Sequence, residues 1–243
     1  MFQFSFKVIT LTSLLWLSSC GLSLPVPGGQ LPGGNGPVPL SDTEILQGLR
    51  DAIQVGATSA ASLANKQDAY LKNQKLFIPF PSEAQNVADK VRQLGFGKLV
   101  DDFVVTLNRG AEQAAGKAAP IFVDAVKKMK WDDVRGILKG SDNAATQYFQ
   151  RTTRQPLYNA FYPVIQNSLN QVEATKYWND ITSIYNKIPF VQPVQTDLAK
   201  YATDKALDGL FVLLTEEEMK IRKDPAQRVT DILKRVFGYT GPI

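Results

Sequence analysis

Residues 99–118, LVDDFVVTLNRGAEQAAGKA, decide the fold class. Val100, Val104, Leu107, Ala111, Ala114 and Ala118 recur at steps of three and four, and Leu99 and Phe103 widen the apolar face. That is the period of a helix with one face in a core. Gly110, Ala111, Ala114, Ala115 and Gly116 carry so little side chain that a second helix can lie close against this one. Pro120 then breaks or kinks the helix before Ile121, Phe122, Ala125, Val126 and Met129 continue it.

The helical period extends in both directions. Upstream, Ser41-Asp42-Thr43-Glu44 is a capping box, followed by Ile45, Leu49, Ala52, Gly56, Ala60 and Leu63 on one face. Residues 76–81, LFIPFP, must be extended, because proline disfavours helix at its own position and before it. Ser82 and Gln85 form a second capping box, and Gly95 can end that helix. Downstream, Gly140-Ser141-Asp142 stops one helix and starts the next, Ala144 to Arg154. Pro156 suits a first helical turn, with Leu157, Phe161, Val164, Ile165, Leu169 and Val172 as the buried face and a kink near Ala160 from Pro163. Tyr177, Ile181, Ile184 and Tyr185 mark another helix. Ile188-Pro189-Phe190 echoes Ile78-Pro79-Phe80, as paired strands or, the favoured reading, as connectors.

Thr196 or Asp197 caps a run to Lys223 in which Leu210 to Leu214 is apolar all round, the pattern of a helix central to a core. Asp224-Pro225 opens a last helix that ends before Gly238. No alternating strand pattern occurs. The prediction is all-α: a single bundle-like multi-helix domain over residues 41–243, with kinked helices and two short extended proline-containing connectors.

The first forty residues read differently. Lys7 precedes an apolar run, Val8 to Leu17, long enough for a signal peptide and too short to span a bilayer. The run closes on Leu17-Ser18-Ser19-Cys20, which resembles the lipobox of bacterial lipoproteins. The resemblance implies a signal over residues 1–19 and acyl chains on Cys20, which becomes the first residue. Three chains anchor permanently, where one would be marginal. Gly21 follows in place of the aspartate that retains enterobacterial lipoproteins at the inner membrane, which suggests the outer membrane, facing the periplasm. Residues 21–40 hold six glycines, five prolines and no charge, so they form a flexible tether between Cys20 and the domain.

Composition narrows the chemistry. The 243 residues include no histidine and one cysteine. Ser-His-Asp and Cys-His mechanisms, His-bearing metal sites, CxxC redox pairs and intrachain disulfides are therefore excluded. A formal charge of +4 is too small and too dispersed to point to nucleic acid. No cofactor or metal site is expected. Glu216-Glu217-Glu218 reads as a solvated helix face, Glu216 pairing with Lys220 and Glu218 with Arg222 at i,i+4. Asp101-Asp102 and Asp132-Asp133 suit helix first turns. Asp204 and Asp208 share a face but are too few for calcium.

Polar residues inside apolar helices are the candidate site: Asn108 and Arg109 on one, Thr146, Gln147, Tyr148 and Arg151 on another, and Asp208 within the most hydrophobic. A buried charge must be paired, so Arg109 or Arg151 should meet Asp208 or Glu112. The result is a structural network fixing helix register or a small anion or ligand site.

Several strings occur in order: LNRGAE at 107–112, AATQYF at 144–149, NKIPF at 186–190, ALDGLF at 206–211, and RVTD at 228–231 before VFG at 236–238. Together they resemble the bacterial family catalogued as domain of unknown function 4197, over about residues 41–238. Gly110 stands where that family's string has alanine. The resemblance implies a helical domain of an exported protein and no activity. Three functions follow as expectations. The first is a membrane-tethered, non-enzymatic binding or scaffold lipoprotein with an envelope protein partner or small ligand. The second is a helical carrier for an apolar or anionic ligand, marked by a pocket lined with Phe, Tyr and Arg. The third is a carboxylate-dependent envelope hydrolase, which requires two facing acids.

Overall fold

The computed structural model describes residues 41–171, Trp178, 197–224 and 234–235. The leader and tether, the connector at 188–190, the closing helix and, apart from Trp178, the helix at 177–185 lie outside the described residues. Among the described residues there are seven α-helices and no strand. They are α1 (Asp42–Ala64), α2 (Gln85–Val91), α3 (Gly97–Ala115), α4 (Ala118–Lys127), α5 (Trp131–Lys139), α6 (Ala144–Asn170) and α7 (Leu198–Lys223). Some of the helices are bent. The fold is all-α, and no helix among the described residues is long and apolar enough to cross a membrane.

Helix α1 starts where its capping box places it: Ser41 Oγ accepts from the Glu44 N–H and the Glu44 carboxylate accepts from the Ser41 N–H. The second expected box does not form. Residues Ser82–Ala84 are a 3-10 turn, and no side chain caps α2. A π-helical segment, Arg92–Phe96, follows α2, and Gly95 at φ +89° turns the chain into α3. The left-handed φ is why a glycine stands there.

Helix α6 packs between α3 and α7; α7 also lies on α1 and α3, while α4 bridges α1 and α6. At the α3–α6 crossing Gly110 faces Ile165 and Ser168, where an added Cβ would sit 3.4–3.5 Å away. An alanine there would make an ordinary contact, so glycine is not obligatory at this crossing.

Three expectations about the helices are corrected. The break after α3 falls at Gly116 and Lys117, not at Pro120, which sits in the first turn of α4, where a missing N–H costs no helical bond. Helix α6 is continuous from Ala144 to Asn170, with Pro156 and Pro163 inside it, so Pro156 does not begin a new helix. Each proline removes one i→i−4 bond, yet Ala145, Phe149, Thr153, Leu157, Phe161, Ile165 and Leu169 form one buried row at steps of four through both prolines. That burial outweighs two missing bonds. In α7, the run from Leu210 to Leu214 is not buried all round, because Val212 faces solvent.

Candidate functional site

The polar residues set in apolar helices separate into three places. The first is a clamp on the chain between α1 and α2. Asn108, fully buried on α3, faces extended Ile78: its Oδ1 accepts from the Ile78 N–H at 2.9 Å, and its Nδ2 donates to the Ile78 carbonyl at 2.9 Å. One carboxamide thus replaces a neighbouring strand. The Asn108 Nδ2 also donates to the Val104 carbonyl. Phe80 then packs edge-on against Phe103 and Trp178.

One turn along α3, buried Glu112 accepts from the Tyr70 and Leu71 N–H groups at 3.1 and 3.3 Å and from Arg109 at 2.6 Å. The other end of the Arg109 guanidinium donates to Asp68 at 2.6 Å. Asp68 sits at φ +68°, and the pairing holds that strained turn. Hydrogen bonds from Lys72 first, and Arg109 next, hold the Asp68 carboxyl below its usual range. Fully buried Tyr70 donates its hydroxyl to the Ala206 carbonyl on α7 at 2.7 Å. Burial, with the Glu112 charge adding to it, pushes that phenol far up.

The second place joins α7 to the start of α6. Glu218 is buried and accepts from the Ala145 and Thr146 N–H groups at 3.0 and 2.9 Å and from the Thr146 hydroxyl. A carboxylate from a distant helix therefore caps α6, whose own N-cap residue Asn143 makes no side-chain bond to the helix backbone. Arg222 neutralises Glu218 at 2.9 Å and donates to the Ile137 carbonyl at the end of α5.

The expected solvated Glu face is thus corrected. The Glu218–Arg222 pair exists, but it is buried. Glu216 pairs with Lys75, while Lys220 pairs with Glu217, which also accepts from the Ser59 hydroxyl at 2.7 Å. Glu217 and Glu218 tie α7 to α1 and α6.

The third place is a cleft of about 370 Å³ between α4 and α6. Pro120, Ile121, Ala125 and Pro156 supply apolar wall; Tyr148, Thr152, Thr153, Asp124 and Lys128 supply the polar groups. Among the described residues the buried Tyr148 hydroxyl makes one long bond, 3.4 Å, to the Ala125 carbonyl. A hydroxyl donor ordinarily sits at 2.7–2.8 Å, so this one keeps the capacity to serve a ligand. Burial pushes the Tyr148 phenol up and the Asp133 charge adds to that, against Arg151 and Arg50. Arg50 reaches in behind to donate to the Met129 carbonyl.

Of the sequence candidates, Asn108, Arg109 and Tyr148 occupy buried or half-buried structural positions, Arg109 with the expected Glu112. Arg151 and Asp208 do not join them. Both are exposed, and Asp208 pairs with Arg154 at 2.9 Å across α6 and α7. Asp208 follows the apolar Ala206-Leu207 pair, but its own position on the helix turns it to solvent. Asp68, Tyr70 and Ile78 were not foreseen, since their partners on α3 lie about 30–40 residues away, and that of the Tyr70 hydroxyl 136, where no local spacing reveals them.

A family model described as "Protein of unknown function (DUF4197)" matches residues 39–238. The chain belongs to this family. No curated protein and no solved structure matches it. The family match covers α1 to α7, so the clamp, the Glu218 cap and the cleft all fall within the shared domain.

Proposed function

We propose that this chain is a lipid-anchored, non-catalytic binding module of the bacterial envelope, held through Cys20 at the outer membrane and facing the periplasm. Its ligand site is the α4–α6 cleft. The observation that carries the binding reading is that cleft itself: about 370 Å³ lies within the roughly 300–1,000 Å³ range of small-molecule sites. Its wall of prolines, Ile121 and Ala125 suits a small, mostly apolar molecule, with the Tyr148 hydroxyl left to meet one hydroxyl or carbonyl while Thr152 donates to the Tyr148 carbonyl of its own helix. This favours the carrier form of the reading over a bare scaffold. Arg151 does not line the cleft, and Lys128, which does, is paired with Asp124, which argues against an anion as its ligand.

A hydrolase would need two facing acids, one of them raised by burial. The cleft has one carboxylate, Asp124, hydrogen-bonded to Lys128 at 2.6 Å. Buried Glu112 and Glu218 are occupied by backbone N–H groups and arginines.

The test has two arms. Cys20→Ser should abolish fatty-acid labelling and release the protein from membranes, and continued membrane partitioning after signal cleavage would refute the anchor. Thr152→Trp fills the cleft from its rim. It should remove any co-purifying small molecule while leaving the helical spectrum intact; retention of that molecule would refute the cleft as the site.

A further inference from the structure

Most apolar side chains of the helices are buried, but the turn into α3 reverses the rule. Leu94 is 73% exposed, Phe96 59% and Leu99 45%, all within six residues. Gly95 lies between the first two at φ +89°, with nothing within 4 Å of where a Cβ would be. The tight left-handed turn therefore projects Leu94 and Phe96 outward on either side of an open apex. Beneath it the charges are paired: Arg92 with Asp101 at 2.7 Å and Lys98 with Asp102 at 2.5 Å. Arg92 also lies against Gly97, where an added Cβ would come 3.6 Å from its side chain.

We infer that the Leu94-Gly95-Phe96 turn, with Leu99, is an insertion tip that seats the tethered domain on the bilayer. The inference rests on the anchoring reading above. Shape selects the occupant. The tip is a convex knob, and a bilayer's headgroup–acyl boundary accepts separate protruding apolar side chains without a matching pocket. Charge is compatible: the exposed Arg92–Asp101 and Lys98–Asp102 pairs cancel in net charge and can stay in the hydrated headgroup layer while the three apolar side chains enter.

Distance agrees as well. The twenty residues 21–40 between Cys20 and the domain reach at most about 65 Å. A domain of this size has a radius of gyration near 16 Å, by the usual scaling. The anchored domain thus stays within about 65 Å of the membrane. Three apolar side chains alone would bind vesicles weakly, but tethering raises the effective concentration to the millimolar range.

The test uses the full lipidated chain in vesicles of phosphatidylethanolamine and phosphatidylglycerol, with Gln93→Cys carrying an environment-sensitive fluorophore. The expected result is a blue-shifted label quenched by nitroxide lipids. Leu94→Asp/Phe96→Asp should abolish the quenching with an unchanged thermal melt, because both side chains already face water. Unquenched label in the lipidated chain would overturn the inference, as would quenching that survives the double substitution. Cross-linking of position 93 to a second copy or to an envelope protein in place of lipid would also overturn it. Fatty-acid labelling of the same preparation reports the anchor separately. If Cys20 proves unmodified, the Cys20→Ser chain titrated with the same vesicles decides the tip alone: tip-dependent quenching at high lipid supports it, and none refutes it.

Discussion

Replacing Asn108 with leucine should be among the most damaging single substitutions in the domain, although it inserts an apolar residue of similar size into an apolar interior. The side chain is fully buried and meets both main-chain groups of Ile78. Leucine would strand that N–H and that carbonyl, while the Val104 carbonyl keeps its helical donor. Each stranded group costs about 1–3 kcal/mol, giving roughly 4 kcal/mol for the pair. At about 2–4 °C per kcal/mol for a domain of this size, the melting midpoint should fall by roughly 8–16 °C. Circular dichroism melts measure this directly. Limited proteolysis adds a local readout, since an unclamped segment between α1 and α2 should be cut faster than in the parent. Asn108→Asp should also destabilise, because a carboxylate cannot donate to the Ile78 carbonyl. A leucine variant melting within about 2 °C of the parent, no more than the smallest cost of one stranded group, would refute the clamp.

Glu218→Ala removes the cap of α6 and leaves Arg222 buried without its partner, so a loss of about 3–5 kcal/mol is expected in a denaturant titration. Asp208→Ala breaks only an exposed pair with Arg154 and should cost less than about 1 kcal/mol by the same titration. Gly209→Ala would place a Cβ 2.9 Å from the Tyr70 ring and 3.2 Å from Leu76, an overpacking cost of about 1–3 kcal/mol, with Gly136→Ala as the uncrowded control. A carboxyl held lower in the folded chain than in the unfolded one stabilises above its unfolded pKa and stops doing so as pH falls through the folded value. Asp68 is such a group, so stability should decline below about pH 4, and Asp68→Asn should flatten that decline in melts taken across acid pH.

Much of the fold is legible in local spacing. The stripe from Val100 to Ala114, the capping box at Ser41, the stop at Gly140 and the Asp197 cap need only neighbours within a turn or two, and each stands where its residues place it. Pro156 misleads because a proline is a local signal against helix. The seven-residue buried row from Ala145 to Leu169 is a tertiary quantity that overrides it. The polar site divides the same way. Arg109 and Glu112 lie three apart on one helix and can be paired by counting. Glu218 capping a helix 72 residues earlier cannot, because its i,i+4 arginine reads equally well as a surface pair. Asp208 shows the converse error. Apolar neighbours in sequence do not bury a residue whose angular position on the helix faces water.

Native mass spectrometry of the protein purified from its own envelope tests the tethered binding module most directly, since it weighs anchor and ligand together. The expected spectrum shows a chain beginning at Cys20, heavier by a diacylglyceryl group and an N-acyl chain, with a non-covalent small-molecule adduct that Thr152→Trp loses. A chain with unmodified Cys20 and no adduct would contradict both halves of the proposal.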